Sequence, residues 1–550
     1  MHSDIVDVAI VGGGVAGAYL AWRLGHADSR ASPALQALSE RRPDHRLKIH
    51  LYEQSERIGG RLHSLSVRGL TKTCAELGGM RYYPTHRLVD NLIKHLKLPT
   101  KNFLSAPSDN FLFLRHQRLR QSQLRTRNSM LLYALPQEDR NKTPAELILR
   151  AISSVIPDAR RSEGESLHNW KQRWQAIKAS ARFDQRELYN LGFWDLLQAI
   201  LNPEAYRFVL DAGGYSDFFQ DWNAAEAMDW FVSDFLGLDN PNEKVENVPL
   251  ALVKGFDQLP KILVEQFRAR YSEGVFLDHQ LLAFEKDKEN AALLRLTFED
   301  RAHHRRFQIK AHHLALAIPQ RALQLLDQSA EFFQSEQIQS DIAAVFAEPA
   351  MKLFLGYKEA WWKPLGLHAG ASITDLPIRL AYYWDTPAEA NALLLASYCY
   401  GDLPALWGKA LDPRLPLFEV DRSVEPSYSE KLERAHLPSQ ELVNRVQEEL
   451  RQLHGLSSQI PDPYVALVCD WSRDPYAGAW HLWKAGIKPW EVIARLRQPR
   501  AEYNVYICGE AYSAAQSWVE GALISTENLL EKIFRLPRPN WLPTDYYLGP

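Results

Sequence analysis

The chain opens on an unbroken apolar run, Val8-Ala-Ile-Val11, which passes through Gly12-x-Gly14-x-x-Gly17 into a second apolar stretch, Ala18–Leu24. The first run has the length of a buried strand and the second is helical, so the pattern predicts a strand–turn–helix unit. Another apolar segment, Leu47–Tyr52, predicts the next strand and ends at Glu53. Between them, His26–Arg46 contains Ser, Arg and Pro and reads as a surface insertion. Leu88, Leu92 and Leu96 share one face of a helix predicted over Thr85–Leu98, with Pro99 as its stop. Thr143, Pro144 and Glu146 spell a helix start, and Leu147, Ile148, Ala151, Ile152 and Val155 supply its apolar face. The helical pattern runs on to about Leu236.

Strand-like runs return over Val275–Ile318, at Met351–Tyr357, at Leu393–Tyr400 and at Val505–Cys508. A last helix is predicted over Glu520–Ile533, and the Pro-rich tail after Leu536 reads as an extended surface arm. The nucleotide-binding strands are thus split between the two ends of the chain and an island near its middle. The expected fold class is α/β with α+β character. A Rossmann-like domain (1–72, 247–325 and 490–536) is interrupted by a strand-rich substrate domain (73–127 and 326–489) and a helical domain (128–246).

The glycine turn carries the first chemistry. Gly12, Gly14 and Gly17, with Val15 and Ala16 between them, let backbone N–H groups at a helix N-terminus approach a pyrophosphate. Glu53, followed by Gln54, is placed to accept hydrogen bonds from a ribose, although it lies farther along than the ~20 residues of the usual unit. Beyond it, Gly59-Gly60-Arg61 can bring a fixed cation against the same pyrophosphate.

A length of 550 residues predicts two or three domains, and 46% hydrophobic with 24% charged residues is ordinary globular composition. A net charge of −3 implies no nucleic-acid partner. Arg115, Arg118, Arg120, Arg125 and Arg127 follow Phe111-Leu-Phe-Leu114 and read as the solvated face of a hairpin. Cys74, Cys399, Cys469 and Cys508 lack CxxC spacing, so reduced thiols and no metal site are expected. His303-His304 and His312-His313 read as solvated turns and strand ends. With no apolar stretch near the roughly 18 residues of a membrane span, and a first strand that begins by about residue 5, a soluble cytoplasmic protein is expected. Hydrolase and nucleotidase motifs such as Gly-x-Ser-x-Gly are absent.

Arg81 can hold a carboxylate by two parallel hydrogen bonds, or it can pair with Glu76. Lys352 lies on a run that is apolar on both faces, Met351–Leu355, where a lysine is costly unless it has a task.

Taken together, Gly12–Gly17, Glu53, Gly59-Gly60-Arg61, Gly509-Glu510 and Trp518-Val-Glu-Gly-Ala522 resemble the flavin-containing amine oxidases. Leu77-Gly78-Gly79-Met80-Arg81 is similar to the L-amino acid oxidases and their monooxygenase relatives. The resemblance covers most of the chain in order. It implies FAD held by the glycines above with Val15, Ala16, Glu53, Gln54, Arg61, Gly79, Met80 and Arg81. Leu281, Trp471, Gly509, Glu510, Trp518 and Val519 complete the implied cofactor set. The segment Tyr476–Trp480 lacks the cysteine of the covalent monoamine oxidases, so noncovalent FAD is expected.

For the substrate, the resemblance implies an α-carboxylate on Arg81 and Tyr398, with Tyr400 as the alternative register. It implies an amine near the Ser517 carbonyl, although the family often has Gly at that position, and aromatic walls at Trp518 and Trp480. Trp230 and Trp471 are further wall candidates. Lys352 would hold a water near flavin N5 and serve the reaction with oxygen. Asp229, Asp234 and Glu226 could meet a basic substrate, but acids on helices are expected to be solvated. The implied reaction is oxidative deamination of an L-amino acid: hydride passes to N5, and 2-oxo acid, ammonia and hydrogen peroxide result. An amino-acid 2-monooxygenase, a monoamine or polyamine oxidase and a noncatalytic FAD-binding scaffold remain as alternatives. A homodimer is the family-like expectation.

Overall fold

The computed structural model describes residues 5–550 except 29, 31, 43, 104–108, 127–131, 158, 215–220, 236–247, 385–390, 413, 425–429 and 458–459. Strand β1 (Val6–Val11) is buried along its whole length, as a parallel strand covered on both faces must be. It pairs in parallel with β2 (Ile49–Tyr52) on one side and with the end of the Arg305–Leu316 strand on the other. Val275–Phe276 extends the sheet beyond β2, and Val505–Ile507 lies alongside Arg305–Leu316, both in parallel. The antiparallel strands His279–Lys286 and Leu294–Asp300 continue the sheet along the first half of Arg305–Leu316. The mixed α/β class and the interrupted Rossmann-like arrangement are as the sequence leads one to expect.

Helix α1 (Val15–His26) begins three residues earlier and ends two later than the apolar stretch that predicts it. It packs on the helices Gln258–Arg268 and Val519–Lys532. The supposed surface insertion is part of this core. Its Pro33–Ser39 helix buries Leu35 and Leu38, and Arg42 forms an ion pair with the buried Asp7. The tail is docked as well: Leu542 and Leu548 are buried, and Tyr546 donates a hydrogen bond to Glu520. Alternation of apolar and polar positions is absent from both segments because each covers a helix face with only two or three side chains, too few to leave a period.

A second sheet runs in the order Val465–Asp470, Ala350–Tyr357, Ala392–Tyr400, Leu380–Tyr383, Ala371–Thr374, Phe111–Leu114, Gln117–Arg120. Arg115 and Arg118 are solvent-exposed on the predicted hairpin, with Arg120 beside them; the Arg125 side chain and Arg127 lie outside the described residues. His303 and His304 are exposed in a turn, whereas His312 and His313 lie within a strand, and His313 is joined to Tyr506 at 2.9 Å.

The helical block starts where the sequence indicates. Thr143 Oγ1 accepts from the Glu146 N–H while Glu146 Oε2 accepts from the Thr143 N–H at 2.7 Å. Its core is built on Trp170 and Trp174, stacked 5.9 Å apart. Glu226 and Asp229 are not solvated: both are buried, and Lys178 Nζ lies 2.9 Å from each. Burial alone would strip Lys178 of its proton, but Asp229 and Glu226 overcome it and raise its pKa. The Asp234 side chain lies outside the described residues.

Candidate active site

Two cavities meet at the C-terminal ends of the parallel strands, the place where open α/β sheets bind ligands. The first spans about 1290 Å³ between its walls, solvent at the mouth included, and is lined by Gly12, Gly14, Val15 and Ala16. Gly17 lies behind them. A Cβ there would stand 1.9 Å from the Gly12 carbonyl oxygen, so only glycine lets α1 seat this closely on the turn. No side chain caps the first turn of α1, and its N–H groups remain for an anion. Gly59 donates its N–H to Gly13 O at 2.9 Å, which brings the second glycine loop against the same helix end.

Glu53, Gln54, Gly60, Arg61, Gly79 and Leu281 line this cavity, with Gly509, Glu510, Trp518 and Val519. Glu53 is held in place by the Gly13 N–H at 2.6 Å and by Ser55, whose N–H and hydroxyl lie 2.9 and 2.8 Å away. Arg61 points at Glu510, 2.9 Å away, and donates to the Ala479 carbonyl at 3.0 Å. Burial would raise the Glu510 pKa, but Arg61 and His481 hold it down at about 2.

The second cavity, about 940 Å³ on the same measure, shares Arg61, Gly79, Ala479, Trp480, Ser517, Trp518 and Val519 with the first. Lys352 forms its floor. It sits mid-strand in Ala350–Tyr357, directly across from Tyr398 on one neighbouring strand and from Cys469 on the other. Lys352 Nζ donates to the carbonyl oxygens of Glu76 at 3.1 Å and Gly78 at 2.5 Å, touches Met80 Sδ at 3.3 Å and lies 4.9 Å from the Tyr398 ring centroid. None of these partners is a carboxylate. Burial therefore lowers the Lys352 pKa towards neutrality, and raises that of the nearby buried Glu76.

Arg81 lines the same cavity, its Nη1 3.5 Å from Tyr382 Oη and its guanidinium 5.4 Å from the Phe103 ring centroid. The pairing with Glu76 that the sequence left open is not made; Glu76 instead accepts from Ser64 Oγ at 2.6 Å and the Phe256 N–H at 2.8 Å. Tyr398 lines the cavity, whereas Tyr400 is buried and does not line it.

Met80, Arg81 and Trp471, expected at the cofactor, line only the second cavity. Trp471 is pinned there by its indole N–H on the Leu77 carbonyl at 2.7 Å. Trp230 is a wall of the second cavity, and Trp480 and Trp518 are walls of both. Sequence reasoning missed Trp222, Phe256, Tyr382 and His481, whose segments carry no motif. It also missed Ala317–Pro319, which a rule about strand C-termini would have found after the Leu314–Leu316 run.

The model of the flavin-containing amine oxidoreductases matches residues 37–414 and 424–528, and the chain belongs to that family. Aplysianin-A of Aplysia kurodai is 26% identical over 97% of this chain and 91% of its own length. A putative L-amino-acid oxidase, YobN of Bacillus subtilis (strain 168), is 22% identical over 89% of this chain and 90% of its own. A solved putrescine oxidase variant shares the fold at a TM-score of 0.66 and 15% identity, over 96% of this chain and 98% of its own. The family implies a flavin cofactor, and the first cavity fits one. It offers an uncapped helix end between two glycine loops, with a buried carboxylate at β2's end. Among the described residues there is no cluster of three metal-ligating side chains and no helix long and apolar enough to cross a membrane.

Proposed function

We propose that this protein is an FAD-dependent L-amino acid oxidase. One observation carries the reading: the second cavity is lined by the guanidinium groups of Arg81 and Arg61 and by the Lys352 amine, and by no carboxylate among the described residues. Such a pocket favours a substrate with an anionic group, which an amino acid has and a simple amine lacks. Charged hydrogen bonds contribute about 1.5–3 kcal/mol each, enough to favour an amino acid over its decarboxylated amine. The relative named a putative L-amino-acid oxidase supports the same choice.

FAD, when bound, supplies the two-electron chemistry, taking hydride from the substrate Cα and passing the electrons to oxygen to give peroxide. Arg81 binds the carboxylate, with the Tyr398 hydroxyl as a second donor, and so fixes where Cα points. Ser517 offers the acceptor for the amine. Trp480 and Trp518, at the junction of the two cavities, exclude water from the reacting carbon. Lys352, with its proton loosened by burial, can give up or hold a proton at Nζ near neutral pH. No cysteine lines either cavity among the described residues, which supports noncovalent FAD.

The test is an aerobic panel of the twenty L-amino acids with the yellow protein, measuring peroxide, ammonia and organic product together. Peroxide with equimolar 2-oxo acid is expected. Amide with carbon dioxide would make the protein a monooxygenase, and turnover of amines alone would remove Arg81 from substrate recognition. Acid precipitation should leave the flavin in the supernatant; colour in the pellet would mean a covalent link.

A further inference from the structure

Glu510 lines the first cavity, and its hydrogen bonds point to a second task. An ionised carboxylate has about four acceptor positions. Here Oε1 accepts from the backbone N–H of His481 and of Ser517, each at 2.8 Å. Oε2 accepts from His481 Nδ1 at 2.8 Å and faces Arg61 Nη1 at 2.9 Å. All four positions are therefore engaged by the protein itself. The four donors come from three different places: the second glycine loop, the strand Trp480–Trp483 by backbone and side chain, and the turn before the last helix.

One of those donors sits in an unusual conformation. Ser517 has a φ of 72°, the left-handed region that glycine adopts freely and a serine does not. The residue lines both cavities, so its backbone has to be held at the point where cofactor and substrate meet. His481 is wholly buried and does not line either cavity, yet it supplies two of the four bonds to Glu510. Burial lowers the His481 pKa; its Nδ1 also lies 3.3 Å from Arg61 Nη1, and the tautomer with the proton on Nδ1 is the one that donates to the Glu510 carboxylate.

The second cavity also constrains what can receive a substrate's amine. None of its described lining residues is a carboxylate, the Gly78 carbonyl is taken by Lys352 and the Ala479 carbonyl by Arg61. Ser517, through its carbonyl or hydroxyl, is the acceptor that stands at the junction with the cofactor cavity.

We infer that His481 is a positioning residue: through Glu510 it locks the left-handed turn at Ser517 and thereby the acceptor for the substrate amine. The inference rests on the oxidase reading above and adds to it a residue that touches neither substrate nor cofactor. Its signature is selectivity. Loosening the turn weakens recognition of the amine and leaves recognition of the carboxylate, which belongs to Arg81 in the separate loop after the strand Cys74–Glu76.

The experiment uses FAD-loaded enzyme under anaerobic conditions. Kd is measured for the best L-amino acid from the concentration dependence of flavin bleaching. It is measured for the same acid with hydrogen in place of the amine from the perturbed flavin spectrum. In His481→Leu the Kd of the amino acid should rise tenfold or more and that of the deamino acid by less than threefold. His481→Asn, whose amide N–H takes the place of Nδ1–H, should restore the amino acid to within threefold of the wild type. Equal changes for both ligands, no change for either, or an Asn variant as poor as Leu would overturn the inference. Should His481→Leu fail to fold, Ser517→Val crowds the same left-handed backbone and must show the same amine-selective loss; an unselective loss sinks the idea. A wild type that no L-amino acid bleaches would instead overturn the oxidase reading, so the two failures are distinct.

Discussion

Two lysines lie buried among the described residues, and the difference between their surroundings separates architecture from chemistry. Lys178, in the helical block, has a side chain 2% exposed and sits between Glu226 and Asp229. Lys352, on the floor of the second cavity, is buried to a similar degree but is held by two carbonyl oxygens, a sulfur and a tyrosine ring. The first keeps its charge because two carboxylates repay the lost hydration. The second has its pKa pulled down because burial outweighs the attraction of the Glu76 carboxylate, which is near but not in contact with it. Burial alone therefore does not mark a working lysine. A buried amine with no carboxylate in contact does, since its proton is loosened towards neutral pH.

The sharpest way to break this comparison is to remove each charge in turn. Lys178→Met strips the closest counter-charge from two buried carboxylates, leaving Asp229 only Lys171 at 3.7 Å, and should cost about 3–5 kcal/mol of stability, seen as a fall in the denaturant midpoint. A loss below about 1 kcal/mol would show that the helical-block cluster is not the structural half of the pair. Arg81→Ala addresses the other cavity cation. It should reduce kcat/KM for amino acids by roughly a hundredfold, or about 2.7 kcal/mol, with little change in melting. Unchanged kinetics would take Arg81 out of substrate binding.

Lys352→Met should move stability the opposite way from Lys178→Met, and with a pH dependence of known sign. The folded-state pKa is about 7 against an ordinary 10.5, so between those values the unfolded chain binds the extra proton. The lysine's contribution to stability is therefore least favourable near pH 7 and improves as pH rises towards 10.5. Near neutrality the methionine variant should be the more stable, on the order of 2 kcal/mol, with the gap closing towards high pH. Oxygen should also restore its yellow colour more slowly than in the wild type. A gap that widens with pH would contradict the lowered pKa. The smallest effect is expected at Thr143→Ala, which removes one cap from the helical block without touching either lysine. It should cost about 1 kcal/mol and leave kcat/KM within twofold. A kinetic effect there would mean that the block and the cavity floor are coupled more tightly than their separate charge networks suggest.

What was legible in the sequence is what depends on near neighbours. The glycine turn, its strand and its helix announce themselves because the clash a Cβ would make at Gly17 is with Gly12, five residues away. The Thr143 capping box is legible for the same reason, since both of its bonds close within one helical turn. The alternation around Lys352 showed a lysine on an apolar strand, and the resemblance supplied Tyr398, but only the strand register put the two directly opposite each other.

Other outcomes were decided by contacts between distant parts of the chain. Glu226 and Asp229 look like solvated helix acids until a lysine from another helix reaches them. Arg61 carries the sequence context of a pyrophosphate ligand, yet its partner in the fold is Glu510, near the other end of the chain. The His26–Arg46 segment and the Pro-rich tail show no period because each fills a gap on a surface that other segments build. His481 had no signal at all, since its role lies in the two bonds it makes to a carboxylate across the fold. The sequence by itself determined the nucleotide-binding unit, the class of fold and the residues able to carry the chemistry, because steric and capping constraints act locally. Which of those residues share a cavity, and which buried charge is left without its opposite, was decided only by tertiary structure, because Coulomb energy and desolvation depend on distance in space and not along the chain.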